Sequence, residues 1–205
     1  MWLLVGLGNP GPEHAGQRHN VGRMAVEAIA RRFGIDGWRR RFSSLCARGE
    51  VGGAACLLLL PETYMNESGR AVAAAVRFYK IPLERLLVFH DELDLAPGRV
   101  RVKRGGGLAG HRGLESVAAH LGSREFLRVR IGIGHPGQKE RVVGHVLGHF
   151  TLEERRWLDP LLAAIAEALP WLLAGEESRF TNHLARIRLE AQERRGVESP
   201  KRDPI

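Results

Sequence analysis

The sequence has no stretch that is apolar enough to cross a membrane. Its longest apolar run without a charged residue or proline covers residues 54–60, whereas a membrane-spanning helix needs roughly 18 or more apolar residues. The N-terminal residues also lack the basic segment and the small-residue cleavage site that are typical of a signal peptide. We therefore expect a cytoplasmic protein that has no membrane partner.

Cysteine is scarce, and several catalytic motifs are missing. Cys46 and Cys56 are the only cysteines; they would allow one disulfide but not a disulfide framework. The sequence has no G-x-S-x-G motif, which argues against a serine hydrolase of that type. It has no C-x-x-C or H-E-x-x-H motif, and the i,i+4 pair His145 and His149 has no evident third ligand nearby. We expect neither a bound metal nor a cofactor.

The composition is that of a basic globular protein. The chain has 205 residues, of which 44% are hydrophobic, and this suits one domain. The 31 basic residues exceed the 23 acidic residues and give a formal net charge of +8. Such an excess favours polyanionic partners, RNA or DNA first. An arginine-rich composition set by a GC-rich genome or a hot environment is the alternative explanation.

Strands and helices alternate along the chain, which predicts an α/β fold with a mostly parallel or mixed sheet. Gly52 and Gly53 between two apolar runs indicate a hairpin turn. We place the domain at residues 1–190 and expect a disordered tail at 191–205. The predicted strands cover residues 2–6, 43–50, 53–60, 85–89, 100–102 and 126–134, and the predicted helices cover residues 20–33, 69–79, 113–121, 151–174 and 178–190.

Residues 6–11 match G-x-G-x-x-G directly after the first strand, a pattern found in dinucleotide-binding sites. In such a site a helix opens at once, so that its N-terminus meets the pyrophosphate. Here Pro10 and Pro12 interrupt, and helical periodicity begins only near Asn20. We interpret the segment as a strand-end loop that offers the Asn9 amide at a pocket.

His19 lies at the predicted junction of this loop with the first helix, where Asn20 is a natural N-cap. A helix N-terminus favours the neutral imidazole, which can accept a proton from water as a general base. Taken alone, however, a loop histidine is more often simply exposed to solvent. The hypothesis that His19 is a general base therefore needs support from other residues that could lie beside it.

Asp91 follows the strand predicted at residues 85–89. Ligands of α/β sheets gather at the carboxyl ends of the strands, and a carboxylate there can orient an imidazole. Asp91 would do so for His19 if its strand lies beside the first strand. Its neighbours Glu92 and Asp94 are more easily explained as acidic residues that cap a turn.

The role of Asn66 and the role of the glycine-rich segment 104–113 each have two possible explanations. Asn66 precedes the second predicted helix, so its amide could cap that helix or donate to a developing oxyanion. The glycine-rich segment 104–113 carries Arg104, His111 and Arg112. It suits contacts with phosphate or sugar, and it would equally suit a mobile lid.

Five short blocks occur in an order that closely resembles the bacterial-type peptidyl-tRNA hydrolase family. The likeness covers residues 3–150, and the predicted helices that follow are compatible with the same family. The blocks are Asn9-Pro10-Gly11, Arg18-His19-Asn20, Thr63-Tyr64-Met65-Asn66, His90-Asp91-Glu92-Leu93-Asp94 and Arg130-Ile131-Gly132-Ile133-Gly134.

The resemblance implies a metal-independent cytoplasmic esterase that cleaves the ester between a peptide and the terminal ribose of tRNA. It also implies one α/β domain with a twisted mixed sheet flanked by helices, and we expect a monomer. By motif, the water-activating base is His19, its carboxylate is Asp91, and the residue that distinguishes blocked from free aminoacyl-tRNA is Asn9. Asn66 would bind the substrate through its amide, and Tyr64 would contact the tRNA end.

The sequence departs from the family pattern at two substrate-contacting positions. His14 replaces a usual tyrosine, and Arg112 replaces an asparagine that the family assigns to substrate or to the catalytic water. Arginine cannot accept a hydrogen bond, but it can pair with phosphate. The alternative to an active hydrolase is therefore a non-catalytic RNA-binding relative with the same fold.

Overall fold

The computed structural model describes residues 1–198, with side chains described as far as residue 193. Its last helix includes residues 191–198, the first part of the segment expected to be a disordered tail. The remainder of that tail, residues 199–205, lies outside the described residues. Within the described part, no helix is both long enough and apolar enough to span a membrane.

Seven strands form one mixed sheet in the order β2-β3-β4-β1-β5-β7-β6. The pairs β4–β1, β1–β5 and β5–β7 are parallel, whereas β2–β3, β3–β4 and β6–β7 are antiparallel. The predicted α/β class with a mixed sheet is thus confirmed, and so is the hairpin. The strands are β1 (Trp2–Gly6), β2 (Arg39–Arg41), β3 (Ser44–Val51), β4 (Ala54–Pro61), β5 (Leu86–Glu92), β6 (Val100–Arg104) and β7 (Leu127–Gly132).

Helices cover both faces of the sheet, because alternate residues of the central strands are apolar on both sides. Leu4 faces a core that α1, α5 and α6 complete, while Leu3 and Val5 face a second core closed by α2 and α3. The helices are α1 (Val21–Arg32), α2 (Ser68–Tyr79), α3 (Arg112–Leu121), α4 (Val142–Leu147), α5 (Leu152–Leu173) and α6 (Glu177–Glu198).

Two short elements and one extension were not predicted. Strand β2 consists of three exposed arginines, which give no apolar alternation to detect. Helix α4 has only six residues, too few for a periodic signal. Strand β5 continues through Asp91 to Glu92, because β7 still pairs with it there. The carboxylates therefore lie on the last residues of the strand and not after it.

The two cysteines are free and lie on opposite faces of the sheet. Cys46 belongs to the core beneath α2 and α3, whereas Cys56 belongs to the core beneath α1 and α5. The sheet itself separates the two thiols, so the disulfide that the cysteine count would allow does not form.

Close packing of glycines holds α1 against the strands β1 and β5. A Cβ atom on Gly22 would overlap the carbonyl oxygen of Phe89, and one on Gly6 would lie 2.7 Å from the carbonyl oxygen of Gly22. A Cβ on Gly8 would meet Asn20 at 3.0 Å. These glycines therefore serve the contact between strand, loop and helix, which accounts for the G-x-G pattern without a bound dinucleotide.

We predict that Gly22→Ala lowers the free energy of unfolding by about 1–3 kcal/mol, because the added methyl forces α1 away from β5. Denaturant unfolding measures this change. The matched control is Gly144→Ala in α4, where nothing lies within 4 Å of the added Cβ. That variant should be neutral or more stable by about 0.5–1 kcal/mol. Equal stability of Gly22→Ala and the wild type would contradict the close-packing argument.

Candidate active site

The candidate site lies where the parallel strands end. Asp91 is the next-to-last residue of β5, and Asn9 is in the loop that follows β1. His19 lies in the 3₁₀ turn Arg18–Asn20, directly before α1. Residues 65–67 form a similar turn after β4. Four segments that are distant in sequence therefore meet at one edge of the sheet, as expected for a ligand site of an α/β protein.

The side chains of His19 and Asp91 are in direct contact. Nδ1 of His19 lies 2.9 Å from both carboxylate oxygens of Asp91. Because an ionised carboxylate only accepts hydrogen bonds, this nitrogen carries the proton and donates it. Nε2 then holds the lone pair, and it has no hydrogen-bond partner among the described residues. The pair is mostly buried, with side-chain exposures of 13% for His19 and 2% for Asp91.

The electrostatics at His19 differ from the sequence-based expectation. Burial disfavours the protonated imidazole, but the charge of Asp91 and its hydrogen bond outweigh burial and raise the pKa of His19 above 6.5. The prediction that the helix N-terminus sets the neutral form was therefore wrong in its cause and direction. The arrangement instead stabilises the imidazolium, the form that a general base reaches after it takes a proton.

His111, which sequence reasoning noted only as part of the glycine-rich loop, is a second partner of Asp91. Its Nε2 donates to Oδ1 of Asp91 at 2.8 Å, and its ring centroid lies 4.9 Å from that of His19. Its Nδ1 accepts the backbone N–H of Leu114 at 3.3 Å and so caps α3. A histidine two residues before a predicted helix was the signal that could have indicated this role.

Asp91 is an ionised carboxylate that two imidazoles enclose. Burial would raise the pKa of Asp91, yet the charges and hydrogen bonds of His19 and His111 lower it far below its usual value. Donor atoms of the three side chains lie within 4.8 Å of one another and form a set that could hold a metal ion. However, Nδ1 of His19 and Nε2 of His111 lie at hydrogen-bond distance from the Asp91 carboxylate. Each of these distances is that of a hydrogen bond in which a ring nitrogen donates its proton to a carboxylate oxygen.

Asn20 links two of the loops instead of capping its helix. It occupies the N-cap position of α1, but its side chain makes no capping hydrogen bond. Its Oδ1 accepts the backbone N–H of Asn9, and its Nδ2 donates to the carbonyl of Asn9, both at 2.9 Å. The predicted capping role was thus wrong, because a buried long-range pairing satisfies this amide.

The Asn9 side chain has a fixed orientation. Its Oδ1 accepts the backbone N–H of Met65 at 2.8 Å, which ties the Asn9 loop to the turn at residues 65–67. Since that oxygen faces a donor, the amide nitrogen Nδ2 must point the other way. It remains available to donate a hydrogen bond to a ligand.

The remaining predicted site residues surround this cluster without a hydrogen bond to His19 or Asp91 in the described part of the chain. Tyr64 is 65% exposed. Asn66 is exposed, and the N-cap of α2 is Glu67, so Asn66 does not cap it. Arg112 is the exposed first residue of α3. In His14, Nδ1 is buried and has no hydrogen-bond partner, while Nε2 lies 3.6 Å from Glu13.

A buried arginine holds the start of the glycine-rich loop. The guanidinium of Arg128 on β7 donates to the carbonyls of Gly105 and Gly107, the latter at 3.2 Å. The Arg128 side chain is among the largest that are fully buried. The Arg128 side chain therefore holds the backbone of residues 105–107 in place. The glycine content of the loop did not indicate this constraint.

The turn that carries His19 is anchored to α5 by an ion pair. The Arg18 guanidinium contacts both carboxylate oxygens of Glu154, at 2.8 and 3.0 Å. Glu154 also accepts the backbone N–H of Thr151 and completes a capping box. Burial opposes ionisation of Glu154, but Thr151 and Arg18 together lower its pKa below 4.5.

We predict that Glu154→Gln lowers the free energy of unfolding by about 1–2 kcal/mol at neutral pH, since one amide oxygen cannot serve both partners. Because the pKa of Glu154 is lower in the folded protein than in the unfolded chain, the ionised carboxylate stabilises the fold when the pH is above the unfolded-state pKa. This stabilisation is lost as the pH falls through the folded-state pKa. The difference between Glu154→Gln and the wild type should therefore shrink below pH 4.5.

Urea unfolding at neutral and acidic pH measures this effect. The control variant is Asp159→Asn, which breaks the exposed i,i+4 pair with Arg155 on the same helix. It should change the free energy of unfolding by less than about 0.5 kcal/mol. A pH-independent effect of Glu154→Gln would contradict the assignment to an ionised Glu154.

Comparison with known proteins identifies relatives over most of the chain. The family model for peptidyl-tRNA hydrolase matches residues 3–193. The peptidyl-tRNA hydrolase of Rhodospirillum centenum is 57% identical over 185 residues, which cover 90% of this chain and 81% of the relative. That of Azorhizobium caulinodans is 55% identical over 192 residues, covering 94% and 93% of the two chains.

A solved structure agrees with both the fold and the sequence. The crystal structure of the Acinetobacter baumannii peptidyl-tRNA hydrolase is 43% identical and superimposes with a TM-score of 0.84, covering 90% of this chain and 94% of that one. With the family model matching nearly the whole described chain, this protein belongs to the peptidyl-tRNA hydrolase family.

Proposed function

We propose that this protein hydrolyses the ester bond of peptidyl-tRNA and so releases the peptide and the free tRNA. The observation that carries the proposal is the His19–Asp91 pair, which directs one ring nitrogen to a buried carboxylate and leaves the other for water. Three relatives that are 55–57% identical over most of the chain are named peptidyl-tRNA hydrolases, and these names support the choice of substrate.

In the proposed reaction, Nε2 of His19 takes a proton from a water molecule while the water oxygen attacks the ester carbonyl carbon. The imidazolium that results is stabilised by Asp91. The tetrahedral intermediate then collapses, the bond between the carbonyl carbon and the ribose oxygen breaks, and the imidazolium returns its proton to that oxygen. Water is consumed, and a carboxylic acid and a ribose hydroxyl are formed.

The amides of Asn9 and Asn66 hold the peptide end or the developing oxyanion. Asn9 suits this role because Met65 fixes its oxygen and leaves Nδ2 as a donor whose direction is set before substrate arrives. Asn66 is exposed beside the same turn and has no capping role in α2. An amide can stabilise negative charge without a change of protonation state.

His111 acts as a positioning residue for Asp91. Its hydrogen bond occupies Oδ1 and keeps the carboxylate directed toward His19. Because His19 contacts both carboxylate oxygens and His111 contacts Oδ1, rotation of the carboxylate would disturb the hydrogen bonds of both imidazoles. The substrate carbonyl therefore meets a base whose orientation is already fixed.

The tRNA itself contacts residues around this centre. His14 and Tyr64 would pack against the terminal nucleotides, and Arg112 would pair with a phosphate in place of the usual asparagine. Arg104 and Lys103 lie exposed on β6, on the same side as the glycine-rich loop, and would bind further phosphates. We also propose that the enzyme acts as a cytoplasmic monomer and needs no metal or cofactor.

We predict that His19→Ala lowers kcat for N-blocked aminoacyl-tRNA by at least about 10²–10⁴-fold, the contribution expected of a general base. The fold should persist, because Asp91 keeps its hydrogen bond to His111. His120→Ala, which changes an exposed histidine near the end of α3, is the matched control and should keep full activity. Near-normal turnover by His19→Ala would exclude the mechanism, and a wild-type protein that binds RNA without hydrolysis would favour the non-catalytic alternative.

The pH dependence of kcat/KM offers a separate test. Because the base must be deprotonated, activity should fall as the pH drops through the raised pKa of His19, above 6.5. Asp91→Asn removes the group that raises this pKa, so the acid limb should move to lower pH while the maximum falls by about 10²–10⁴-fold. An acid limb that does not move in Asp91→Asn would contradict the pairing.

A further inference from the structure

A basic groove lies at the edge strand β2, at the opposite edge of the sheet from β6 and the glycine-rich loop. It has a volume of about 500 Å³, and its floor is formed by Cys46 and Leu57. Three guanidinium groups and two rings complete it. We call it the arginine–aromatic groove, and these five residues are Arg39, Arg41, Arg48, Phe78 and Tyr79.

The guanidinium groups and the rings of the groove are stacked on one another. The guanidinium of Arg41 lies 4.0 Å from the ring centroid of Phe78, and that of Arg48 lies 4.6 Å from the ring of Tyr79. Arg41 also donates a hydrogen bond to the Tyr79 hydroxyl at 3.1 Å. Yet Phe78 remains 56% exposed. The stacking therefore orders the arginines and still leaves aromatic surface open to a ligand.

The positive charge of the groove is not balanced by acidic groups. Among the described residues, Arg39, Arg41 and Arg48 form no ion pair with a carboxylate. The neighbouring Arg40 does so, with Glu62 at 3.5 Å. Glu50 is the acidic residue nearest in sequence to Arg48 on β3. Three like charges held close to one another favour the binding of a polyanion, which would relieve their repulsion.

We propose that the arginine–aromatic groove binds single-stranded RNA, with backbone phosphates on Arg39, Arg41 and Arg48 and an unpaired base against Phe78. Arginine pairs with phosphate through two parallel hydrogen bonds, and aromatic rings stack on any base. An acidic peptide would pair with the three arginines but would leave the exposed Phe78 ring without a partner. RNA would contact both the arginines and the ring, so we favour RNA as the ligand.

The groove is a separate site and not an extension of the active centre. Four lateral steps in the sheet separate β2 from β5, which is about 19 Å at the usual strand spacing of about 4.8 Å. The groove opens on the α2 face, whereas His19 precedes α1 on the other face. This binding goes beyond the proposed hydrolysis, because it requires none of the active-site residues.

The test is the binding of a short fluorescent oligouridylate, followed by anisotropy between about 50 and 200 mM salt. Each lost phosphate contact with a single strand lowers the salt slope of log K by about 0.7. The double variant Arg39→Gln/Arg48→Gln should therefore reduce the slope by about 1.4. It should also raise Kd about tenfold, since charge-assisted contacts to phosphate are among the stronger hydrogen bonds.

The control is Arg31→Gln/Arg32→Gln at the end of α1, which removes the same charge from another exposed arginine pair. Its salt slope should stay that of the wild type. Equal losses in both double variants would overturn the proposal, because the net charge alone would then explain binding. A groove variant that binds oligouridylate normally but loses an acidic peptide would overturn it too.

Phe78→Leu provides a second variant that keeps the charge and most of the apolar volume. Because it removes the ring but keeps all three arginines, it should weaken oligouridylate binding about fivefold or more with little change of salt slope. An unchanged Kd would overturn the role of the ring. All groove variants should retain the kcat of the wild type, and His19→Ala should retain oligouridylate binding, so failure of this proposal is distinguishable from failure of the proposed hydrolysis.

Discussion

The buried charge of Asp91 is the constraint around which the site is arranged. A carboxylate whose side chain is 2% exposed stays ionised only where hydrogen-bond donors surround it. Two imidazoles supply those donors, and they come from segments some 90 residues apart, His19 before α1 and His111 before α3. Both helices must therefore begin at the end of β5. The close approach of Gly22 to β5 is one consequence of this requirement.

The loops around Asp91 are held by polar contacts of long range and not by regular secondary structure. Asn20 binds the backbone of Asn9, Asn9 binds the backbone of Met65, and Arg18 binds Glu154 across 136 residues of sequence. Each contact uses a side chain to satisfy a backbone group or a charge that burial would otherwise leave unpaired. The His19 imidazole, the Asp91 carboxylate and the Asn9 amide are consequently oriented without a bound substrate, which is how positioning would contribute to the proposed catalysis.

The basic residues are distributed unevenly around this centre. Arg104, Lys103 and Arg112 lie toward β6 and α3, while the arginines of β2 and β3 lie at the other edge of the sheet. The basic residues behind the net charge of +8 thus form at least two basic surfaces, and His19 and Asp91 lie between them. The basic surface toward β6 and α3 suits an enzyme whose proposed substrate is far larger than the bond it cleaves, because phosphate contacts away from the reacting ester supply affinity and orientation.

The sequence by itself determined the alternation of strands and helices, the hairpin and the family, because apolar periodicity, turn glycines and short motifs are local features. It also identified His19, Asp91, Asn9 and Asn66 as one constellation. Only the tertiary structure decided which side chains share Asp91, in which direction the pKa of His19 moves, and that Asn20 binds a loop and does not cap its helix. These properties depend on burial and on contacts between distant segments. In the same way, β2 forms only because β3 pairs with it, and the groove forms only because Arg39 and Arg41 of β2 lie beside Arg48 of β3 and the rings of α2.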